Sequence, residues 1–249
     1  MRRQLYLLFT LLPLTAAAQV GEYRTDFAVG VNAGYVSSNV GFVPEVPQNR
    51  LGGFTAGLSF RYTCEKYFSS VCAIQAEVNI TQTGWKENIL DVNNNPVFYA
   101  GSGEALYYER RMTYLQIPFL ARLGWGRERK GFQGFIVLGP QIATFLGESV
   151  KTNVVRDQAT VTERSSKIVA QDSLPIQRKF DYGIVVGAGV EWSHSKVGHF
   201  MLEGRYYYGL GDFFDNSKSD FFGRSNFGQI VVKATYLFDI IRTKNDKIK

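Results

Sequence analysis

Eight stretches of the chain alternate between apolar and polar or small side chains, and the clearest of them runs from residue 180 to residue 208. In its first half the even-numbered positions from Tyr182 to Trp192 are apolar, whereas the odd-numbered ones carry glycine, valine and Glu191. A short polar turn, SHSKVGH, follows, and then the alternation resumes. Because successive side chains of a strand point to opposite faces, this stretch predicts a β-hairpin with one apolar, aromatic face.

The same alternation predicts six further strands. They cover about 27–37, 53–63, 71–83, 107–125, 132–146 and 227–238. With the two strands of the hairpin the count is eight, and the connections between consecutive strands are alternately long and short. An even number of strands with short turns at one end and long loops at the other is typical of an outer-membrane barrel.

Aromatic residues lie on the apolar face near both ends of the predicted strands. They form two belts: Tyr62, Trp125, Trp192 and Phe238 at the short-turn end, and Tyr35, Tyr182 and Tyr208 at the long-loop end. Membrane interfaces select such belts, whereas a soluble β-sandwich, the alternative, has no reason to keep aromatic residues at both rims. We therefore predict an all-β fold, an eight-stranded antiparallel up-and-down transmembrane β-barrel with short periplasmic turns and long extracellular loops.

The opposite face of the strands carries ionisable side chains, which a barrel directs into its lumen. Seven of them are predicted to form one connected network: Arg61, Glu77, Arg122, Glu191, Glu203, Arg205 and Lys233. An eight-stranded barrel has room for side chains and little else, and unpaired buried charges are costly, so we expect a plug of ion pairs. The alternative is an ion pathway. Pro118 and Pro140, which cannot donate to a ladder, are predicted to share a β-bulge.

The N-terminus and the cysteines both indicate export. Residues 1–18 combine a positive start, an apolar segment and a small-residue cleavage site, and we predict a cleaved signal peptide followed by a barrel domain over residues 19–249. Cys64 and Cys72 flank a predicted turn, and an oxidising compartment permits a disulfide between them.

The formal net charge of +6 changes the prediction little. Export argues against a nucleic-acid partner, and anionic lipid headgroups are a second acceptor for the positive charge. The expected partners are outer-membrane lipid and, as an open alternative, other envelope or secretion proteins, with the barrel itself a monomer in the outer membrane.

Several ordered segments resemble the PorT-like family of outer-membrane β-barrels, a porin-like domain of Gram-negative bacteria. The matching segments are GGFTAGL at 52–58, YLQIPFL at 114–120, Gly139-Pro140, FDYG at 180–183 with GAG at 187–189, and LEGRY at 202–206 with YGL at 208–210. The resemblance covers essentially the mature chain and implies an eight-stranded barrel. The namesake of the family is linked to protein secretion, but the family implies no single activity and offers no catalytic residues.

Enzymatic chemistry finds little support in the sequence. His194 and His199 flank one short turn beside Ser193, but no positioned acid is evident and the turn faces the periplasm. We predict no catalytic residue, no cofactor and no metal site. The sequence favours a barrel of structural or interaction type; a narrow pore for small solutes, a component of a secretion assembly and, as a weak alternative, a lipid-modifying enzyme stay open.

Overall fold

A computed structural model describes residues 22–98, 103–154, 164–166, 170–215 and 221–244 of the chain. They form a closed barrel of eight strands, each antiparallel to its neighbours. The strands are β1 (Glu22–Val43), β2 (Gln48–Tyr67), β3 (Ser70–Glu87), β4 (Tyr108–Gly126), β5 (Gly131–Thr152), β6 (Phe180–His194), β7 (Gly198–Gly209) and β8 (Arg224–Ile241). The predicted barrel is confirmed. The predicted signal peptide lies outside the described residues, and none of the helical segments described is long and apolar enough to cross a membrane.

The ring closes through β1 and β8, which pair from Phe27 with Ile241 to Val43 with Arg224. Pairing partners followed one way around the ring from Ala33 lead to Phe180 of β6. Followed the other way they lead to Val190, ten residues further along the same strand. A stagger of that size over eight strands corresponds to a strand tilt of about 40°. Closure leaves no unpaired edge, which hydrocarbon could not satisfy.

Strands β1, β2, β3, β5 and β8 are longer than the predicted segments, and β1 shows the reason, which is a change of pattern along the strand. In β1 the outward positions Val31 and Tyr35 are apolar and exposed, as a lipid-facing surface requires. Beyond Tyr35 the apolar side chains instead point inward, as Val36, Val40 and Phe42. This second part of the strand lies past the aromatic belt of the long-loop end, which we call the upper belt. There water surrounds the barrel and apolar residues are buried inside.

These outer extensions enclose a hydrophobic core that the sequence analysis did not predict. Its rings pack edge-to-face, tilted and stacked, with centroid separations from 4.5 to 6.5 Å, and we call this layer the outer cap: Phe42, Trp85, Phe213, Phe214, Phe222 and Phe227. The strands supply Phe42, Trp85 and Phe227, and the β7–β8 loop supplies the other three rings. The barrel is therefore closed by an apolar layer at its external end.

The shared β-bulge predicted for Pro118 and Pro140 is wrong. The β4–β5 register is the same on both sides of the prolines, since Pro118 pairs with Gln141 and Ala121 pairs with Leu138. The β4–β5 register shift occurs elsewhere, next to Tyr114. The ladder tolerates the missing proline donors by skipping two pairs, without inserting a residue.

Candidate functional site

The lumen holds two layers of buried charges at membrane depth. We call the first the upper lumen network: Glu77, Glu203, Arg205 and Lys233. Arg205 donates from Nη2 to Glu77 at 2.7 Å and to Glu203 at 3.0 Å, and Lys233 donates to Glu77 as well. Glu77 has no exposed surface. Gly187 of β6 leaves room for this arrangement, because a Cβ there would lie 2.8 Å from the Arg205 side chain.

The lower lumen network lies nearer the short turns and centres on Glu191. Arg61 donates to Glu191 at 2.6 Å and Arg122 donates to the same oxygen at 2.5 Å. Arg122 also lies over the ring of Phe135, 4.2 Å from its centroid, which adds a cation–π contact. His199 places Nδ1 2.6 Å from the other oxygen of Glu191. With Ser193 Oγ, which donates to that other oxygen at 2.9 Å, four polar groups surround the carboxylate, as a buried charge requires.

The structure places these seven charges in the lumen, in two networks where the sequence analysis expected one. No hydrogen bond joins the two layers within the described part of the chain. The physical reason is the stagger of the barrel, which sets Glu77 of β3 opposite Arg205 of β7 and Arg61 of β2 opposite Glu191 of β6. Each pair of strands is four apart in a ring of eight, so each network braces two opposite walls.

Little free volume remains around these networks. A cavity of about 20 Å³ borders Arg205 and Lys233, and one of about 30 Å³ borders Arg61, Glu191 and His199. Each holds no more than one or two water molecules. Further inward-facing polar pairs fill the barrel between and above the charges: Asn32 with Ser59, Thr55 with Thr81, Gln116 with Gln229, and Tyr207 with Asp181. Their inward parity was readable from the sequence, but their pairing was not.

The histidine pair suspected of chemistry separates into two environments. His199 is buried in the lumen, with Ser193 Oγ 2.9 Å from Nδ1 and Asp239 3.0 Å from Nε2. Acids are therefore positioned beside it, contrary to the expectation from sequence. Ser193 also lies 2.9 Å from Glu191, which the lower lumen network already holds. His194 stacks on Trp192 outside the barrel.

The short β4–β5 turn closes the periplasmic mouth. Glu128 folds inward from this turn, accepts a hydrogen bond from Arg24 Nε at 3.1 Å and forms an ion pair with Lys66 at 2.7 Å. Burial opposes the ionised form, yet the hydrogen bonds of Lys66 and Arg24 lower the pKa of Glu128 below its ordinary value. Arg129 reaches the carbonyl of Thr243 at 2.6 Å and so ties the turn to the chain after β8. Sequence reasoning treated this turn only as a connection.

A second ionisable cluster lies at the external end, beyond the upper belt. Glu87 at the end of β3 accepts a hydrogen bond from Gln171 and lies 3.4 Å from Arg164, both of them in the long β5–β6 loop. Burial, reinforced by the neighbouring Asp172 carboxylate, raises the pKa of Glu87 to about 8. Arg110 donates to the carbonyl of Leu174 at 2.7 Å. These contacts fasten the loop over the barrel.

The remaining predicted residues lie on the outer surface. All seven aromatic belt residues are exposed on the lipid face: Tyr35, Tyr62, Trp125, Tyr182, Trp192, Tyr208 and Phe238. Cys64 and Cys72 are free and half-buried at the periplasmic end of the β2–β3 hairpin. The β2–β3 register shifts at Cys64, where it falls between the pairs Thr63–Ala73 and Glu65–Cys72. Their disulfide stays a prediction.

This chain resembles one protein-family profile and several solved structures. The profile of the outer membrane protein beta-barrel domain matches residues 17–215. Ail of Yersinia pestis covers 87% of this chain and 99% of its own at 13% identity and a TM-score of 0.34. OprG of Pseudomonas aeruginosa covers 88% and 98% (12%, 0.41), and the neisserial surface protein NspA covers 85% and 97% (12%, 0.40). Curated protein sequences give no match. The chain belongs to the family of outer membrane protein beta-barrel domains.

Proposed function

We propose that this outer-membrane barrel is a non-conducting anchor of structural or interaction type. It holds at the cell surface a compact external head, which consists of the outer strand extensions, the outer cap and the long loops. The observation that carries the proposal is the pair of ion networks that span the lumen from wall to wall. The outer cap above them and the β4–β5 turn below them support the same conclusion, because each covers one end of the lumen.

The energetics of the networks argue against the alternative of a narrow pore. A solute path would require both Arg205 to leave Glu77 and Glu191 to leave Arg61 and Arg122. Removing one partner from a buried ion pair costs about 3–5 kcal/mol, because the other charge stays in a medium of low dielectric constant. Both layers would have to open together, and the outer cap would have to separate as well.

Conductance across a planar bilayer tests this proposal. The purified full chain, shown to be folded by its heat-dependent mobility on a denaturing gel, should insert without producing discrete current steps. A general porin added afterwards to the same membrane controls for insertion and detection. A double variant, Glu77→Ser with Arg205→Ser, removes the wall-to-wall ion pair of the upper lumen network and keeps the net charge of the lumen. Its conductance shows what this ion pair contributes to closure. Discrete steps from the parent protein would overturn the proposal in favour of a narrow pore.

We further propose that the protein is not an enzyme. Ser193 and His199 have the residue types of a nucleophile and base, but both are buried beneath the β4–β5 turn and both contact the ion-paired Glu191. A serine that shares its hydrogen bonds with a paired carboxylate is poorly placed to attack a lipid. Assays of lipid hydrolysis with the parent and with Ser193→Ala should give the same background rate.

Contact with partners is proposed to fall to the external head. Val92 and Phe98 of the β3–β4 loop and Phe221 of the β7–β8 loop leave large apolar surfaces exposed there. The partners we propose are outer-membrane lipid and other envelope proteins, with the barrel itself a monomer. Membership of the PorT-like family and a place in a secretion assembly are finer proposals supported by the ordered sequence segments. Co-purification of secretion components that Phe98→Ser and Val92→Ser variants lose would support them.

A further inference from the structure

A group of cations projects outward from one side of the barrel, just beyond the upper aromatic belt. We call it the outer rim patch: Arg50 of β2, Lys86 of β3, Arg111 of β4 and Lys151 of β5. All four are exposed or half-buried. Arg50 comes four residues beyond the lipid-facing Phe54, and Arg111 comes four residues before Leu115. The patch therefore lies at the level where lipid headgroups meet the barrel.

Local contacts hold the two arginines in position. Arg50 donates from Nε and Nη2 to the side chain and carbonyl of Ser37, both at 3.0 Å. Arg111 donates to Gln82 at 3.2 Å and to Glu109 at 2.9 Å. Both guanidinium groups keep solvent-facing surface, and hydrogen bonds from their own nitrogens hold them in place. A fixed, planar guanidinium loses little freedom when it binds a phosphate with two parallel hydrogen bonds.

The strand register brings the four cations together. Arg50 pairs with Trp85 and Arg111 pairs with Gly84, so the two arginines flank β3 with their Cα atoms about 10 Å apart. Lys86 and Lys151 both pair with Glu109, on either side of it. Four cations and one acid thus share this part of the surface, and the acid, Glu109, is ion-paired with Arg111 at 2.9 Å. Elsewhere on the rim the exposed Arg178 is balanced one to one by Asp215 at 2.5 Å.

We propose that the outer rim patch binds the phosphate groups of a phosphorylated glycolipid in the outer leaflet, of the lipid A class. The same strands carry the matching apolar surface directly below the patch, since Phe54, Leu58 and Ile80 face the membrane and are about half exposed. Acyl chains lie against this surface while the headgroup phosphates meet the cations. The inference uses the outer-membrane location and not the closed lumen, so a conducting barrel would leave it standing.

Native mass spectrometry of the full chain, released from nanodiscs that contain hexa-acylated bis-phosphorylated lipid A, tests this site. The variant Arg50→Gln with Arg111→Gln should bind about 25-fold less lipid A, because each cation near an anionic membrane surface contributes a factor of about five. A second variant, Lys86→Gln with Lys151→Gln, should show a loss of similar size, because the same factor applies to each lysine. The control Arg224→Gln removes an exposed cation at the outer end of β8 and should bind as the parent does.

Four outcomes would overturn the inference. The first two are unchanged lipid A binding by both double variants in their heat-modifiable, folded form, and an equal loss of binding in Arg224→Gln, which would indicate a diffuse charge effect. The third is equal retention of phosphatidylglycerol by the parent protein, which would indicate surface potential alone. The fourth is displacement of lipid A by inorganic phosphate at equal concentration, which would indicate a free anion as the ligand.

Discussion

At the scale of single residues, the two histidines of one hairpin have opposite roles. His199 lies between Glu191 and Asp239 inside the lumen, whereas His194 contacts Trp192 and the backbone of Lys196 at the surface. We expect His199→Ala to lower the free energy of unfolding by about 3 kcal/mol, because two buried carboxylates lose a donor. His194→Ala, the matched control, should change it by less than about 1 kcal/mol.

Urea unfolding in lipid vesicles, followed by tryptophan fluorescence, measures both values. A loss of similar size in the two variants would contradict the assignment of His199 to the lower lumen network. The sequence analysis predicted that both histidines lie in one solvated turn, because the residue types of the turn do not show which side chain points inward. The parity of the strand does: His199 shares the inward parity of Glu203 and Arg205, and that signal was available.

At the scale of elements, the sequence predicted each strand but not what its ends contact. Period-two alternation located all eight strands, and the aromatic belts on them, because lipid outside and polar side chains inside are contrasting surroundings. The alternation changes sense beyond Tyr35, and so the extension of β1 to Val43 was missed. Partners such as Glu77 and Arg205, which are 128 positions apart, follow from stagger and closure and have no local signature.

The long β5–β6 loop is an element whose attachment should depend on pH. The pKa of Glu87, about 8 in the folded protein, exceeds its unfolded value, so the folded form binds a proton that the unfolded form releases. The stabilisation from this group is complete below the unfolded pKa and is lost as pH rises toward 8. We expect cleavage of the 164–179 region by added protease to accelerate as the pH passes about 8.

The variant Glu87→Gln should remove that acceleration, because its amide stays neutral and can still accept from Gln171. Glu148→Gln is the matched control: Glu148 pairs with Arg110 near the same loop and should keep the parent's pH dependence. Cleavage rates measured from pH 6 to pH 9 decide the matter. An identical rise with pH in the parent and in Glu87→Gln would show that another group controls the loop.

At the scale of the whole molecule, closure of the barrel depends on β8. β8 pairs with β7 on one side and with β1 on the other, and loss of either ladder would leave unpaired N–H and C=O groups facing hydrocarbon. We expect a chain that ends before Phe227 to give no compact band on an unboiled denaturing gel and to be absent from the outer-membrane fraction.

Removal of residues 245–249 is the control for this truncation, since it keeps β8 and the hydrogen bond from Thr243 N to Asp26 that follows it. That variant should retain the heat-dependent shift in mobility and the membrane location of the parent. A shifted, membrane-embedded band from the longer truncation would mean that seven strands can close without β8. The lumen braces make that outcome unfavourable, because Lys233 of β8 would no longer pair with Glu77 and Glu203.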